Sequence, residues 1–257
     1  MNGELRVEFL GTGTSQGVPI IACKCSVCQS FDQKDKRLRS SILVSKGNTQ
    51  ILIDAGPDLR QQMLRANVDS LDAILITHSH MDHIGGIDDV RAFNFHTHKP
   101  MDIYALPRDQ EVIRSIYSYA FHENPYPGIP RLDLRNLHYS RFQIKDIVIT
   151  PFRIMHHKME IAGFKIDDFV YITDGKYIPD ASYKVIGSPK VLVINALRKE
   201  EHISHFNLLE ALQEVEKIKS QVTYFTHISH KFGHHEEIER ELPENVHLSY
   251  DGLKLQI

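Results

Sequence analysis

The sequence has few cysteines, little net charge and no long apolar run. Its three cysteines all lie within residues 23–28, which excludes a disulfide framework and suits a reducing compartment. Thirty basic and 33 acidic residues give a net charge of -3, so no general positive field attracts nucleic acid or an anionic membrane. No apolar run reaches the length of a bilayer span, and MNGELRVEFL does not resemble a secretory signal. We therefore expect a cytoplasmic protein without a membrane partner, and nucleic acid binding is not favoured.

The apolar, β-branched segments predict an α/β protein with mixed sheets covered by helices. Helical periodicity predicts helices at residues 58–66, 87–94 and 207–220, and the polar segment SKGNTQ at 45–50 predicts a β-hairpin. The Pro-rich segment 122–134 is typical of an irregular surface insertion near a site. We expect one domain spanning residues 1–257. Strands are predicted at residues 5–11, 40–45, 49–56, 71–78, 101–106, 169–175, 190–197 and 221–229.

Side chains of the metal-ligand type follow several predicted strands. Asp54 follows ILI, Asp174 follows VYIT and His227 follows TYFT, while THSHMDH at residues 77–83 follows AILI. The carboxyl ends of strands are where α/β sheets place their sites. The sequence therefore predicts a site at this edge of the sheets.

The cluster at residues 77–83 indicates a dinuclear metal centre. Three imidazoles and one carboxylate within six positions are costly to bury unless a cation binds their lone pairs. His78 and His80 lie two apart in extended backbone and are expected to face one ion, whereas Asp82 and His83 project toward a second. Nitrogen and oxygen ligands suit zinc, manganese or iron. Isolated histidines are interpreted as ordinary surface or core groups: His96, His98, His122, His138 and His247.

The motif THSHMDH resembles the H-x-H-x-D-H motif of the metallo-β-lactamase superfamily. The earlier element LIDAG and the later elements IMHHK, ITDG and FTHIS occur in the expected order around it. The segment FLGTGTSQGVPIIACKCSVC at residues 9–28 resembles the opening of the PhnP-type phosphoribosyl cyclic phosphate phosphodiesterases and of the related PqqB type. SHFNL at 204–208 and HISH at 227–230 are similar to PhnP-type segments. The resemblance implies an αββα sandwich of two mixed β-sheets flanked by helices.

The resemblance also implies the ligands. His78, His80 and His156 would bind one divalent ion, Asp82, His83 and His227 the other, and Asp174 would bridge them. His157 is an alternative to His156. A separate structural zinc would be bound by Cys23, Cys25, Cys28 and His230, with His234 or His235 as alternatives to His230. The three cysteines by themselves also fit such a zinc site, because three thiolates need a fourth ligand to close a tetrahedral site. A reduced cysteine cluster without metal is the alternative.

The implied chemistry is hydrolysis of a small or cyclic phosphodiester by a hydroxide that bridges the two ions. Asp82 would take part as a ligand, His205 would act as general acid, and Asp54 would orient a ligand histidine or the attacking water. His202 is the alternative to His205. The expected partner is a small-molecule substrate, and a homodimer stays open.

Other functions share parts of this pattern. A tRNA 3′-processing nuclease has the same dimetal ligands, and a PqqB-like protein of cofactor biosynthesis has a similar opening. A PqqB-like protein would be expected to lack a complete ligand set, and a redox di-iron protein usually has a carboxylate at the position of His80. An inactive binding scaffold is disfavoured because every candidate ligand is present.

Overall fold

A computed structural model describes residues 3–122 and 126–257, and its strands form two seven-stranded sheets. The first sheet has the order β14-β1-β2-β3-β4-β5-β6. Pairing is antiparallel from β14 to β3 and parallel from β3 to β6. The strands are β1 (Arg6–Gly11), β2 (Ser41–Lys46), β3 (Thr49–Ile53), β4 (Ala73–Leu75), β5 (Met101–Ala105), β6 (Leu132–Asn136) and β14 (Lys254–Gln256).

The second sheet has the order β13-β12-β11-β10-β9-β8-β7. It repeats the mixed pattern, with parallel pairing from β13 to β10 and antiparallel pairing from β10 to β7. The strands are β7 (Phe142–Ile144), β8 (Ile147–His156), β9 (Met159–Ile166), β10 (Phe169–Tyr171), β11 (Val191–Asn195), β12 (Val222–Thr226) and β13 (Val246–Leu248).

All the helices of the described residues except the first cover the outer face of one of the sheets, and the first packs with the cysteine segment. The helices are α1 (Ser26–Gln29), α2 (Leu59–Ala66), α3 (Met81–Ile84), α4 (Arg91–Thr97), α5 (Pro107–Ile116), α6 (Asp180–Ile186), α7 (Leu208–Ile218) and α8 (His235–Glu241), with 3-10 turns at Gln33–Asp35, Ile87–Val90 and Ser118–Phe121. None of the helices in the described ranges has both the length and the hydrophobicity that a bilayer crossing requires.

Three apolar cores separate four layers. The central core joins the inner faces of the two sheets and contains Phe9, Ile53 and Phe164. Neighbouring strand residues point the other way: Leu10 and Leu52 pack beneath the helices of the first sheet. A third core lies between the second sheet and helices α6, α7 and α8. Because strand side chains alternate and both faces are covered, the central strands read as continuous apolar runs. The αββα arrangement expected from the resemblance is confirmed.

The eight predicted strands and the β2–β3 hairpin are all present. The predicted helix at 87–94 is a 3-10 turn that continues into α4, and the other two predicted helices match α2 and α7 within two residues at each end. The predicted irregular insertion at 122–134 is wrong at its end, because β6 begins at Leu132 and pairs in parallel with β5. Residues 123–125 of that segment lie outside the described part of the chain.

Candidate metal centre

Five chain segments bring ligand-type side chains together at one edge of the sandwich. Asp54 follows β3, His227 follows β12 and Asp174 lies three residues after β10. His156 is the last residue of β8, and the segment 78–83 connects β4 to α3. All the adjacent strand pairs β3–β4, β10–β11 and β11–β12 are parallel, so their carboxyl ends open toward the same edge.

The backbone turns sharply at three of these positions. Asp54, Asp174 and His227 have φ values of 65°, 57° and 57°, in the left-handed region that residues with a Cβ seldom adopt. Each such residue costs on the order of 1 kcal/mol or more and persists where the surrounding structure holds it. The turn directs each side chain across the strand end. This strain is stored where the ligands converge.

Asp54 fixes the orientation and the proton position of His83. Its carboxylate accepts hydrogen bonds from the Thr77 backbone N–H and hydroxyl, both at 2.8 Å, and lies 2.7 Å from His83 Nδ1. A carboxylate only accepts hydrogen bonds, so Nδ1 of His83 carries the proton and Nε2 presents a lone pair. Asp54 is completely buried, as is His83. The expected role of Asp54 in orienting a ligand histidine agrees with this geometry.

The lone pair of His83 points at two carboxylates. Nε2 lies 3.1 Å from Asp82 Oδ2 and 3.2 Å from Asp174 Oδ2, yet it is buried without a hydrogen-bond partner. His227 Nδ1 lies 3.2 Å from the same Asp174 oxygen. The four residues Asp82, His83, Asp174 and His227 offer ligand atoms within 4.8 Å of one another. Acceptors crowded in this way are stabilised by a cation, and the donor set suits a divalent metal.

A second group of imidazoles adjoins the first. His156 Nδ1 donates to the Asp174 backbone carbonyl at 2.7 Å, which leaves its Nε2 lone pair available. His78 Nε2 lies 3.0 Å from His80 Nδ1, and the ring of His156 is 5.2 Å from that of His80 between centroids. The ligand atoms of His156, Asp174 and His205 also lie within 4.8 Å of one another. The histidines expected to bind the first ion therefore lie next to the group formed by Asp82, His83, Asp174 and His227.

Thr77 connects the two groups. Its hydroxyl donates to Asp54 and therefore accepts from His78 Nδ1 at 3.0 Å. This assigns the His78 proton to Nδ1 and its lone pair to Nε2, on the side of His80. The Asp54 carboxylate thus fixes the tautomer of His83 directly and that of His78 through Thr77. These two histidines are expected to bind different ions.

The electrostatics of the cluster are those of a site built around positive charge. Burial opposes ionisation of Asp174, but His227 and His83 hold the pKa of its carboxyl well below the usual range. Burial likewise opposes protonation of His83, but the carboxylates of Asp174, Asp82 and Asp54 raise its pKa well above the ordinary value. Without metal, Nε2 of this ring therefore holds a second proton, and a metal ion would replace that proton and bind the lone pair. Burial and the neighbouring His83 hold the pKa of His78 well below its ordinary value. Asp174 therefore stays ionised in a buried place, where a cation would stabilise it.

The sequence left open the choice between His156 and His157 and the choice between His205 and His202, and the two members of each pair differ in their distance from the cluster. His156 ends β8 and is 9 % exposed, whereas His157 is an exposed residue of the hairpin turn with a φ of 54°. His205 is buried with its ring 4.7 Å from that of His156, whereas His202 lies farther out, 5.0 Å from His205. The structure brings His156 and His205 to the cluster and places His202 beside it.

The three cysteines converge on His230. The Sγ atoms of Cys23, Cys25 and Cys28 lie 3.3, 3.4 and 3.5 Å from His230 Nδ1. A tetrahedral zinc with ordinary Zn–S and Zn–N bonds has sulfur-to-nitrogen edges of about 3.6 Å, so these positions fit a closed zinc site. The backbone N–H of Cys28 and then the neighbouring side chains lower the pKa of the Cys25 thiol to about 6, against the effect of burial. Burial raises the pKa of Cys28 to about 11, a thiol that zinc would deprotonate.

The alternative fourth ligands are engaged elsewhere. His234 Nδ1 lies 3.1 Å from Asp35 Oδ2, and His235 Nδ1 accepts a hydrogen bond from the Arg37 guanidinium at 3.1 Å. Of the three candidates, His230 is the one that the structure brings to the cysteines.

Three supporting residues were missed in the sequence. Thr77 holds Asp54, Ser40 lies 3.2 Å from His227 Nδ1, and Asn195 bonds both backbone groups of Gly175 at 2.7 and 2.9 Å, which fixes the loop of Asp174. Thr77 and Asn195 lie at the ends of predicted strands, which is the one feature that could have indicated them. Ser40 begins a predicted strand instead of following one, and it is distant in sequence from its partner, so no pattern indicated it.

Comparison with known proteins places this geometry in a family. A model described as "Beta-lactamase superfamily domain" matches residues 49–228, which include the whole H-x-H-x-D-H segment, Asp174 and His227. The chain belongs to the beta-lactamase superfamily. The crystal structure of a diphosphatase from the PhnP family superposes with a TM-score of 0.94 at 36 % identity, covering 100 % of this chain and 98 % of that one. The resemblance to the PhnP type is thereby confirmed.

Other relatives are less informative. Zinc-bound PqqB from Methylobacterium extorquens has a TM-score of 0.81 at 19 % identity, covering 98 % of this chain and 100 % of that one, which shows a shared fold. An octanoyltransferase of Porphyromonas gingivalis is 41 % identical over 253 residues, 97 % of this chain but 51 % of that protein. The chain thus spans about half the length of this relative. The chain carries a histidine and aspartate cluster that suits divalent metals, as its place in the superfamily leads one to expect.

Proposed function

We propose that the protein is a dinuclear-metal-dependent phosphodiesterase acting on small or cyclic phosphodiesters. The observation that carries the proposal is the convergence of the ligand set around Asp174, with the protons of His78, His83 and His156 on Nδ1 and their Nε2 lone pairs available for metal. The likeness over nearly the full chain to a PhnP-family diphosphatase supports phosphorus as the electrophile.

The two ions would be manganese, zinc or iron. His78, His80 and His156 would hold one, Asp82, His83 and His227 the other, and Asp174 both. Divalent ions bound there would lower the pKa of water and neutralise nonbridging phosphoryl oxygens. The chain itself supplies the orientation of these ligands through Asp54 and Thr77. The zinc held by Cys23, Cys25, Cys28 and His230 would be structural.

His205 is assigned as the proton donor to the leaving oxygen. It is 9 % exposed, and its Nδ1 is buried without a hydrogen-bond partner, 3.7 Å from Asp174 Oδ1. Burial lowers the pKa of His205 to about 3, so the ring is neutral at pH 7 before substrate binds. An anionic phosphoryl group beside the ring favours the protonated form, and we expect the proton to be taken up together with the substrate.

Small substrates are favoured over long nucleic acids. The net charge of -3 offers no counterion-release drive for a long polyanion, which disfavours a tRNA 3′-processing role. The complete ligand set disfavours a PqqB-like role. Octanoyl-group chemistry is a second candidate because of the octanoyltransferase relative, but the match covers only half of that protein. The assay panel therefore includes an octanoyl thioester.

The test begins with metal content and continues with a substrate panel. Protein reconstituted with Mn²⁺ or Zn²⁺ is assayed on bis(p-nitrophenyl) phosphate, nucleoside cyclic phosphates and a dinucleoside diphosphate, and on nitrocefin, an octanoyl thioester and a precursor tRNA. We expect hydrolysis of phosphodiesters alone. Asp82→Asn should abolish it, and Asp69→Asn, at an exposed position on the surface after α2, is the matched control. Turnover of the octanoyl thioester without turnover of any phosphodiester would contradict the proposal.

A further inference from the structure

The loop between β11 and α7, residues 196–207, carries a second histidine beside the metal centre. Backbone bonds close the loop at its base: Leu197 N–H donates to Phe206 at 3.0 Å and Leu208 N–H donates to Arg198 at 2.9 Å. The Arg198 guanidinium donates to the Glu201 carbonyl at 2.7 Å. These hydrogen bonds therefore hold the loop in one conformation.

His202 has a defined proton position on this loop. The Ser204 backbone N–H donates to His202 Nδ1 at 3.3 Å, so the neutral ring carries its proton on Nε2. The ring lies 5.0 Å from that of His205, which in turn lies 4.7 Å from that of His156. His202 is partly exposed whereas His205 is buried. The imidazoles thus form a row that leads from the metal ligands to the surface.

Two cationic side chains, each with an acidic neighbour, lie near His202. Arg198 and Lys176 lie near enough that, after burial, they contribute to lowering the pKa of His202. Lys176 is paired with Glu210 at 2.6 Å, and the Arg198 guanidinium is occupied by loop carbonyls. Arg198 also lies 3.9 Å from the Glu200 carboxylate, so each cation has an acidic neighbour and the ring of His202 itself supplies the N–H that can bond an incoming anion.

We propose that His202 Nε2 donates a hydrogen bond to the second phosphoryl group of a diphosphate diester, which makes such diesters the preferred substrate class. The proposal rests on the phosphodiesterase function above. In the reaction, a water oxygen forms a bond to one phosphorus, the bridging P–O bond breaks, and the products are two phosphate monoesters. A group that lies one bridging oxygen beyond the reacting phosphorus, past His205, reaches the next imidazole in the row.

A hydrogen-bond donor at the position of His202 Nε2 would stabilise the leaving group of a diphosphate diester. The leaving group is itself a phosphate, whose charge spreads over nonbridging oxygens, so hydrogen bonds to those oxygens stabilise it as it departs. A simple alkyl or aryl leaving group has no oxygen there. His202 is therefore a specificity residue for diphosphates and has little to contribute to a monophosphate diester.

The test compares two substrates that differ in the leaving group. Wild type, His202→Asn, His202→Gln and the exposed-histidine control His138→Asn are loaded with Mn²⁺. Each is assayed on a dinucleoside diphosphate and on the p-nitrophenyl ester of thymidine monophosphate. We expect His202→Asn to lower kcat/KM for the diphosphate by roughly tenfold or more, the effect of losing one hydrogen bond to a charged group, and to change the p-nitrophenyl ester less than twofold. His202→Gln, whose amide N–H reaches toward the Nε2 position, should restore part of the loss.

A binding measurement without turnover accompanies the kinetics. Isothermal titration with α,β-methylene-ADP should show weaker binding to His202→Asn than to wild type, with AMP binding unchanged. Equal losses on both substrates, or equal binding of α,β-methylene-ADP, would overturn the assignment of His202 and leave the phosphodiesterase function intact. A wild-type protein that hydrolyses the p-nitrophenyl ester but not the diphosphate would also overturn it. A wild type inactive on both would refute the phosphodiesterase function itself.

Discussion

Replacing Asp54 by asparagine should separate metal binding from folding. The variant keeps an oxygen for the Thr77 N–H but presents an N–H₂ group to His83 Nδ1, 2.7 Å away, where two donors would meet. The ring can accept this bond only by moving its proton to Nε2, which removes the lone pair that faces Asp82 and Asp174. Loss of such a supporting hydrogen bond costs about 10- to 100-fold in metal affinity, or about 1.4 to 2.7 kcal/mol.

The fold should tolerate this change. Burial raises the pKa of Asp54, so the amide removes a carboxylate that is costly to desolvate and stays hydrogen-bonded to Thr77. We therefore expect an unchanged or higher melting temperature for the protein without dimetal ions. This direction distinguishes the variant from one that merely unfolds.

Manganese titration is the suitable assay. Mn²⁺ binds thiolates poorly, so it reports on the histidine and aspartate cluster while zinc stays at the cysteines. Isothermal titration of wild type, Asp54→Asn and the surface control Asp69→Asn gives the three affinities directly. Affinity for Mn²⁺ within twofold of wild type in folded Asp54→Asn would refute the idea that Asp54 sets the tautomer of His83.

Three further predictions concern other parts of the site. Asp82→Ala should lose both turnover and metal, whereas His205→Ala should lose turnover with metal retained; equal metal loss by elemental analysis would show that His205 is a ligand. Cys25→Ser keeps a helix-cap acceptor for the Cys28 N–H but loses a thiolate, so it should lose one zinc per chain and melt at a lower temperature, while Mn²⁺ binding persists. His235 has a pKa lowered to about 4 from 6.5 by burial and by Arg37, so the unfolded chain binds more protons between these values and stability falls as pH drops from 6.5 to 4. His235→Asn should remove up to about 3 kcal/mol of this pH dependence in urea unfolding, and an unchanged pH profile would contradict it.

Strand ends were the part of the site that sequence patterns could locate. Asp54, Asp174 and His227 follow apolar runs that are buried on both faces, and such runs are recognisable because alternate side chains enter two different cores. The H-x-H-x-D-H segment was recognisable because imidazoles and a carboxylate so close in sequence are costly to bury without a cation. Local patterns therefore predicted which segments meet at this edge of the sheets, and the assignment of their side chains as metal ligands stays a prediction.

Features that depend on distant contacts could not be predicted in this way. His156 lies at the end of β8, where Pro151 and polar residues interrupt the apolar pattern, and the choice between it and His157 is decided by the hairpin turn. Within residues 3–122 and 126–257, six strands and five helices lie outside the segments predicted from the sequence. The edge strands β7 and β13 have three residues each, too few to show a period.

The proposed structural zinc site and the proposed dimetal site share one segment of chain, which raises the question of why loss of zinc should spare the other ions. His230 lies three residues after His227, and the segment between them pairs with the N-terminal loop through Ile228 N–H to Thr12 and Thr14 N–H to Ile228, at 2.9 and 3.1 Å. These bonds belong to the backbone and do not pass through the cysteines. His227 is held in addition by Ser40 and Asp174. Zinc at the proposed site would therefore stabilise the loop of residues 20–30 against this segment, while the position of His227 is fixed independently by its own contacts.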